Sequence, residues 1–169
     1  MEESIWYDNM KLLTITTWNY KLYKEYAHRF EATYNWSWPY TVYNEDYGMY
    51  DAIPNLKKFV DRNKSRPAKD FLQDGVRFSY KVYGYCHAIQ QYDDYDFIMG
   101  VDADSVFYNP MPENIVKDKL YKEDCMMTYL GRGGQYSECG FLGFNMKHPE
   151  IHNFAKEMLR MYNSDDIYK

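Results

Sequence analysis

The sequence predicts an α/β fold in which a mixed, mostly parallel sheet is flanked by helices, organised as a single domain over residues 1–169. Segments rich in β-branched and apolar residues alternate with segments whose apolar residues recur every three or four positions, and this alternation is typical of an α/β sheet. The chain has the length of one domain. Because 20% of its residues are aromatic, it can bury a sizeable core.

The first half of the chain contains two predicted strands and two predicted helices. Residues 11–18 are β-branched and apolar, which predicts a strand. A helix is predicted over residues 20–34, where four apolar residues share one face: Leu22, Tyr26, Ala27 and Phe30. Residues 40–44 predict a second strand, which leads into Glu45 and Asp46. Pro54 suits the first position of a short helix that continues through Val60.

The second half begins with a polar loop over residues 64–69 and a long predicted helix over residues 74–91. The apolar residues of that helix recur at spacings of four and three: Phe78, Val82, Tyr85 and Ile89. Further strands are predicted over residues 95–101, 125–130 and 141–145, with a glycine-rich turn over residues 131–134. Pro149 opens a last helix, whose inward residues are Ile151, Phe154, Ala155, Met158 and Tyr162. This succession predicts a Rossmann-like sheet, in which ligands bind at the carboxyl ends of the strands.

Composition argues against several classes of protein. The net charge is −5 and the basic residues are dispersed, so no nucleic-acid partner is expected. The chain contains no apolar run of the length that spans a membrane, about 18 residues. Its three cysteines, Cys86, Cys125 and Cys139, form no CxxC pair, and no secretory segment opens the chain. We therefore expect reduced thiols and a cytoplasmic location.

Asp102 and Asp104 follow directly after an apolar predicted strand, with the small Ala103 between them leaving room for a ligand. Charge beside an apolar strand is costly unless a partner compensates it. Mg²⁺ and Mn²⁺ favour one or two carboxylates together with waters and substrate phosphates. The alternative is a solvated turn, where Asp is common. The apolar strand favours binding of Mn²⁺ or Mg²⁺ by the two carboxylates.

Residues 96–107 (DFIMGVDADSVF) resemble the DxD region of GT-A-fold glycosyltransferases. The resemblance implies a GT-A-like domain that transfers a sugar from a nucleotide-sugar donor to a carbohydrate or other hydroxyl acceptor. A UDP-sugar is favoured by its frequency in the family. Asp102 and Asp104 would hold the metal ion and would contact the donor together with Ala103.

Other segments match the same family in order along the chain. Thr16 and Thr17, at the end of the first strand, would border the nucleoside, and Glu45 would contact the base. Residues 137–145 (SECGFLGFN) resemble the polar-x-Gly-apolar segment that opens a strand beside the donor sugar. The resemblance extends over most of residues 11–162, and its DxD region is the most specific part.

Two basic residues, Arg77 and Lys81, lie one turn apart on the helix predicted before the DxD strand. Charged pairs on a helix usually form a solvated face. With a DxD motif on the next strand, phosphate binding by both side chains is the favoured interpretation.

Glu138 lies between the glycine-rich turn and the last strand and is the candidate catalytic carboxylate. An inverting transferase needs a general base for the acceptor hydroxyl. A glutamate that bonds to the local backbone of a turn is an equally open interpretation.

Three features depart from the GT-A pattern. Many members supply a third metal ligand near the C-terminus, and the candidates here are His148, His152, Asp165 and Asp166. The usual acceptor-binding half is almost absent, and 169 residues is small for the family. We therefore expect an acceptor site that is either open or completed by a second subunit of a homo-oligomer.

Two other functions compete with the transferase. Residues 101–106 (VDADSV) also fit the first motif of haloacid-dehalogenase-like phosphatases, in which Asp102 would be the nucleophile and Asp104 the general acid. A nucleotide-sugar-binding module without turnover is the non-enzymatic alternative.

Overall fold

A computed structural model describes residues 10–67, 74–134 and 138–169, and of Glu138 it describes the backbone alone. The described strands are β1 (Leu12–Trp18), β2 (Tyr40–Asn44), β3 (Phe97–Val101), β4 (Met127–Leu130) and β5 (Glu138–Asn145). The described α-helices are α1 (Tyr20–Leu22), α2 (His28–Thr33), α3 (Met49–Ala52), α4 (Pro54–Asn63), α5 (Gly75–Gln91), α6 (Glu113–Ile115) and α7 (Ile151–Asn163). Short turns of other helical types are Tyr23–Ala27 and Val116–Leu120, both π-helical, and Asp166–Tyr168, which is a 3₁₀ turn.

The five strands form one open sheet in the order β2-β1-β3-β5-β4. β1 pairs in parallel with β2 and with β3, whereas β5 pairs antiparallel with β3 and with β4. The predicted mixed α/β sheet is confirmed. The prediction that the sheet is mostly parallel is wrong, because two of its four strand pairings are parallel and two are antiparallel. β4 and β5 are consecutive in the chain, and a short connection between neighbouring strands permits antiparallel pairing alone.

Helices cover both faces of this sheet. Along β1, Leu13 and Ile15 point into one core with α3, α4, α5 and α7. Leu12 and Trp18 point into the other core, which contains Phe30 of α2 and the π-helical turns. Because β1 is buried on both faces, its apolar residues do not alternate with solvent-facing polar residues, and even Thr14 and Thr16 are buried.

The helix predicted over residues 20–34 is interrupted. A π-helical turn, Tyr23–Ala27, separates α1 from α2, and α2 ends at Thr33. A π turn contains more residues than an α turn and rotates the residues that follow it. The predicted single apolar face is therefore split: Ala27 and Phe30 are buried, but Tyr26 is 40% exposed.

Helix α5 buries a wider surface than the predicted stripe. Tyr85 and Ile89 are buried as predicted, whereas Phe78 and Val82 are only partly buried. The buried residues outside the predicted stripe include Tyr83 and Cys86. The sheet covers one side of α5, and α4 and α7 cover others, so one apolar stripe does not describe it.

Other boundaries differ from the predictions by a few residues. Pro54 does open α4, but the helix continues beyond Val60. α7 begins after Pro149, and β5 begins before residue 141. Helices α3 and α6 were not predicted, because three or four residues are too few to show a period. Of the predicted loop over residues 64–69, the last two lie outside the described residues.

None of the helices in the described part of the chain has the length and apolar character needed to cross a membrane.

Gly143 allows the ring of Phe97 to lie against strand β5. A Cβ atom at Gly143 would come 2.3 Å from Cζ of Phe97, which is far inside van der Waals contact. We expect Gly143→Ala to lower the free energy of unfolding by about 1–3 kcal/mol, the usual effect of overpacking a core. Urea unfolding measures this change.

Gly131→Ala is the control, since a Cβ atom there would meet nothing within 4 Å. A second variant, Gly143→Ala with Phe97→Leu, removes the ring and should recover part of the loss. Equal stability of Gly143→Ala and the wild-type protein would contradict the close contact between Phe97 and β5.

Candidate functional site

A cleft of about 580 Å³ opens at the carboxyl ends of β1, β2 and β3. All eight residues predicted to bind a nucleotide-sugar line it: Thr16, Thr17, Glu45, Arg77, Lys81, Asp102, Ala103 and Asp104. The structure thus brings together residues from three strand ends and one helix. Their role in binding remains a prediction.

The connectivity of the sheet explains the position of the cleft. The chain leaves β1 through α1 and α2 on one face to reach β2, and it returns to β3 through α3, α4 and α5 on the other face. The connections after β1 and β2 therefore diverge, and a crevice forms between the ends of β1 and β3. Such a switch point is where open α/β sheets bind their ligands.

Asp102 forms an ion pair with Lys81 of α5. The pair is largely shielded, with 20% of the Lys81 side chain and 33% of the Asp102 side chain exposed. Lys81 Nζ also donates to the carbonyl oxygen of Cys139 at 3.4 Å. Lys81 was predicted to approach a phosphate, and in this structure it instead neutralises the first DxD carboxylate.

Asp104 occupies a different environment. The Ser105 N–H donates to the Asp102 carbonyl oxygen at 3.1 Å, so the DxD segment forms a turn, and Asp104 is exposed on it. In the part of the chain that the structure describes, no group of three or more His, Cys, Asp or Glu side chains is arranged to hold a metal ion. Two carboxylates nevertheless fit Mg²⁺ or Mn²⁺, since these ions complete their shell with waters and substrate phosphates.

The four residues suggested as a third metal ligand do not line the cleft: His148, His152, Asp165 and Asp166. Arg62 pairs with Asp165 at 2.8 Å and lowers the pKa of that carboxyl. Arg160 pairs with Asp166 at 2.6 Å. These ion pairs fix the segment after α7 to α4 and α7, which gives both aspartates a structural role away from the DxD turn.

Glu45, at the end of β2, is held by its neighbours in the cleft wall. Asn19 Nδ2 donates to Glu45 Oε2 at 2.9 Å, while Asn19 Oδ1 caps α1 by accepting from the Leu22 N–H at 2.9 Å. Burial raises the pKa of Glu45, and hydrogen bonds from Thr17 and Asn19, with the charge of Arg77, oppose that rise. The carboxylate is thus oriented and partly desolvated, as a hydrogen-bond acceptor for a ligand needs to be.

Glu138, the candidate catalytic carboxylate, begins β5, and its backbone pairs with Leu130. It precedes Cys139, whose carbonyl oxygen accepts from Lys81, so its backbone lies near the cleft. Its side chain lies outside the described residues, and its catalytic role stays a prediction.

The cleft also contains residues that the sequence analysis did not assign to a site. Tyr85 was treated as a core residue, yet it lines the cleft beside Arg77 and Lys81. The sequence did contain a pattern that could have identified Tyr85, because positions 77, 81 and 85 are four residues apart and share one face of a helix. Asn19 follows β1 directly and had the sequence signal of a helix cap.

Comparison with known proteins adds no family assignment: no family model matches the chain, and no curated protein aligns with it significantly. The inference of function therefore rests on the residues of the cleft.

The raised pKa of Glu45 predicts a pH-dependent stability difference from Glu45→Gln. When the folded pKa lies above the ordinary value of 4.5, the stabilising contribution is complete below pH 4.5 and is lost as the pH rises through the folded pKa. We therefore expect the free energy of unfolding of the wild-type protein, minus that of Glu45→Gln, to fall between pH 4 and pH 7.

Urea unfolding across that pH range measures the difference. Glu25→Gln is the control, since it removes an exposed carboxylate from the same cleft. If the difference instead rises with pH, the hydrogen bonds from Asn19 and Thr17 lower the pKa of Glu45 by more than burial raises it.

Proposed function

We propose that the chain is a metal-dependent glycosyltransferase of the GT-A type, which transfers a sugar from a nucleotide diphosphate donor to a hydroxyl acceptor. A UDP-sugar is the favoured donor. One observation carries the proposal: residues assigned separately at the ends of β1, β2 and β3 and on α5 line one cleft at the switch point of the sheet.

The charges in the cleft suit a ligand that is itself anionic and carries a cation. Asp102 and Asp104 supply negative charge at one strand end, and Arg77 and Lys81 supply positive charge from α5. An arginine can bind two phosphate oxygens at once, and a lysine acts as a mobile point charge. A diphosphate with a divalent ion satisfies both sets of groups.

Asp102 and Asp104 would hold Mn²⁺ or Mg²⁺, which when bound supplies positive charge to the leaving diphosphate. Lys81 neutralises Asp102 in the structure described here. Once Asp102 has another partner, the Lys81 ammonium is released and can bind the diphosphate, where positive charge stabilises departure. Lys81 would thus have a partner both before and after the donor binds.

The two ends of the donor would meet different parts of the wall. Glu45, which is held by Asn19 and Thr17, would accept a hydrogen bond from an N–H group of the nucleobase. Glu138 would position the acceptor hydroxyl or take its proton.

Calorimetric titration with UDP tests the proposal. We expect binding that requires Mn²⁺ and that disappears in Asp104→Ala, because Asp104 would help to hold the ion that supplies positive charge to the diphosphate. Asp118→Ala is the control, since Asp118 is an exposed aspartate outside the cleft.

Binding of UDP that is equally tight without Mn²⁺ and in Asp104→Ala would contradict the proposal. Hydrolysis of p-nitrophenyl phosphate that is abolished in Asp102→Asn would instead identify the phosphatase. A protein that binds UDP-sugars but never consumes them, with a panel of acceptors supplied, would be the binding module.

Lys81→Gln separates the two roles of the lysine. Without divalent ions, we expect the free energy of unfolding to fall by about 1 kcal/mol, since a partly buried carboxylate loses its partner. Mn²⁺ alone should bind more tightly than in the wild-type protein, because no lysine competes for Asp102. With Mn²⁺ present, UDP should bind about tenfold more weakly, the effect of losing one charged hydrogen bond.

Lys57→Gln is the matched control, since it breaks an ion pair with Asp61 that is exposed on α4. Unchanged affinity for Mn²⁺ in Lys81→Gln would show that Lys81 does not compete with the metal ion.

A further inference from the structure

Two buried hydroxyl groups in the cleft wall have no hydrogen-bond partner. Across the described residues, the buried side-chain oxygen and nitrogen atoms without a partner are Thr16 Oγ1 and the hydroxyl oxygen of Tyr85. Both residues line the cleft, one from each face of the sheet. Buried polar groups are nearly always paired, so two exceptions at one cleft call for a shared explanation.

Two other buried tyrosines in the same core, Tyr83 and Tyr43, have partners for their hydroxyl groups. Tyr83, two residues earlier on α5, donates to Asn163 Oδ1 at 2.7 Å. Tyr43 shares a hydrogen bond of 2.9 Å with His87 Nδ1. The unpaired hydroxyl is therefore a local property of Tyr85 and not a general feature of this aromatic core.

The ring of Tyr85 is fixed on two sides. A Cβ atom at Gly100 would come 2.5 Å from Cζ and 2.8 Å from the hydroxyl oxygen of Tyr85, so the tip of the ring lies on the backbone of β3. Phe144 of β5 makes an edge-to-face contact with the ring, with centroids 5.6 Å apart. Gly100 precedes Asp102 by two residues, which places the hydroxyl at the base of the DxD turn.

The hydroxyl keeps its proton at this position. Burial raises the pKa of Tyr85 well above its ordinary value, and the nearby charge of Asp102 adds to the rise. A neutral phenol has a proton to donate, so an acceptor oxygen of a ligand can serve as its missing partner. A phenylalanine would fill the same space without an unpaired hydroxyl, so packing alone does not explain the tyrosine.

We propose that the Tyr85 hydroxyl is a ligand-binding group that donates to an oxygen atom of the donor seated beside Asp102. This inference rests on the proposed function and deepens it by adding a residue to the donor site. The acceptor is a diphosphate oxygen or a sugar hydroxyl, which share the same hydrogen-bonding chemistry. The unpaired group is retained at a cost to the free protein because the ligand supplies its partner.

Tyr85→Phe and Tyr83→Phe form a matched pair for the test. Thermal unfolding of the protein without ligand should show Tyr85→Phe to be as stable as the wild-type protein or more stable. Tyr83→Phe should melt about 2–4 °C lower, because it loses a hydrogen bond that is satisfied in the folded protein. A fall in the melting temperature of Tyr85→Phe similar to that of Tyr83→Phe would overturn the inference, since the hydroxyl would then have a structural partner.

Calorimetry with Mn²⁺ and with UDP, GDP and UDP-glucose supplies the second measurement. We expect Tyr85→Phe to bind about tenfold more weakly, the loss of one hydrogen bond, and Tyr83→Phe to bind as the wild-type protein does. Weaker binding of UDP assigns the bond to the diphosphate, and weaker binding of UDP-glucose alone assigns it to the sugar.

The result separates the inference from the function on which it rests. Wild-type protein that binds none of the three nucleotides would overturn the proposed function. Wild-type protein that binds them, with Tyr85→Phe binding equally well, would overturn the inference and leave the function standing.

Discussion

The close packing of α5 on the sheet is the constraint on which the cleft depends. A Cβ atom at Gly84 would come 3.3 Å from Cγ2 of Thr17, and Gly100 leaves space for the ring of Tyr85. Small residues at these two positions allow the helix and the strands to approach closely. Arg77, Lys81 and Tyr85 reach the ends of β1 and β3 because the helix axis lies this near to the sheet.

The electrostatics of the cleft follow from the short distance between α5 and the sheet. Asp102 lies at the end of a fully buried strand, and a carboxylate in such a place needs a positive partner. Lys81 provides one from α5. The cleft therefore contains one neutralised carboxylate without a ligand, and in the function that we propose a divalent ion and phosphate oxygens would replace the two partners of this pair. Unpaired hydroxyl groups at Thr16 and Tyr85 add hydrogen-bonding capacity that the free protein does not use.

Strand ends were the most informative part of the sequence. Three strands were predicted that end near Thr16, Glu45 and Asp102, and the rule that ligands bind at carboxyl ends predicted that these residues would meet. The structure places them in one cleft. Pairing direction was harder to predict, because the apolar run of β5 is compatible with either direction and its hairpin with β4 decides the matter.

The sequence by itself determined the alternation of strands and helices, the carboxylates after β3 and the spacing of Arg77 and Lys81, because these are local patterns with fixed periods. The tertiary structure alone decided that Lys81 pairs with Asp102 and that Tyr85 has an unpaired hydroxyl. It also decided that Asp165 and Asp166 form ion pairs that hold the segment after α7 in place. Each of these depends on which groups meet across the fold. The periodicity of apolar residues in the sequence does not predict such contacts. The distance between two side chains is set by the packing of the helices and strands that carry them.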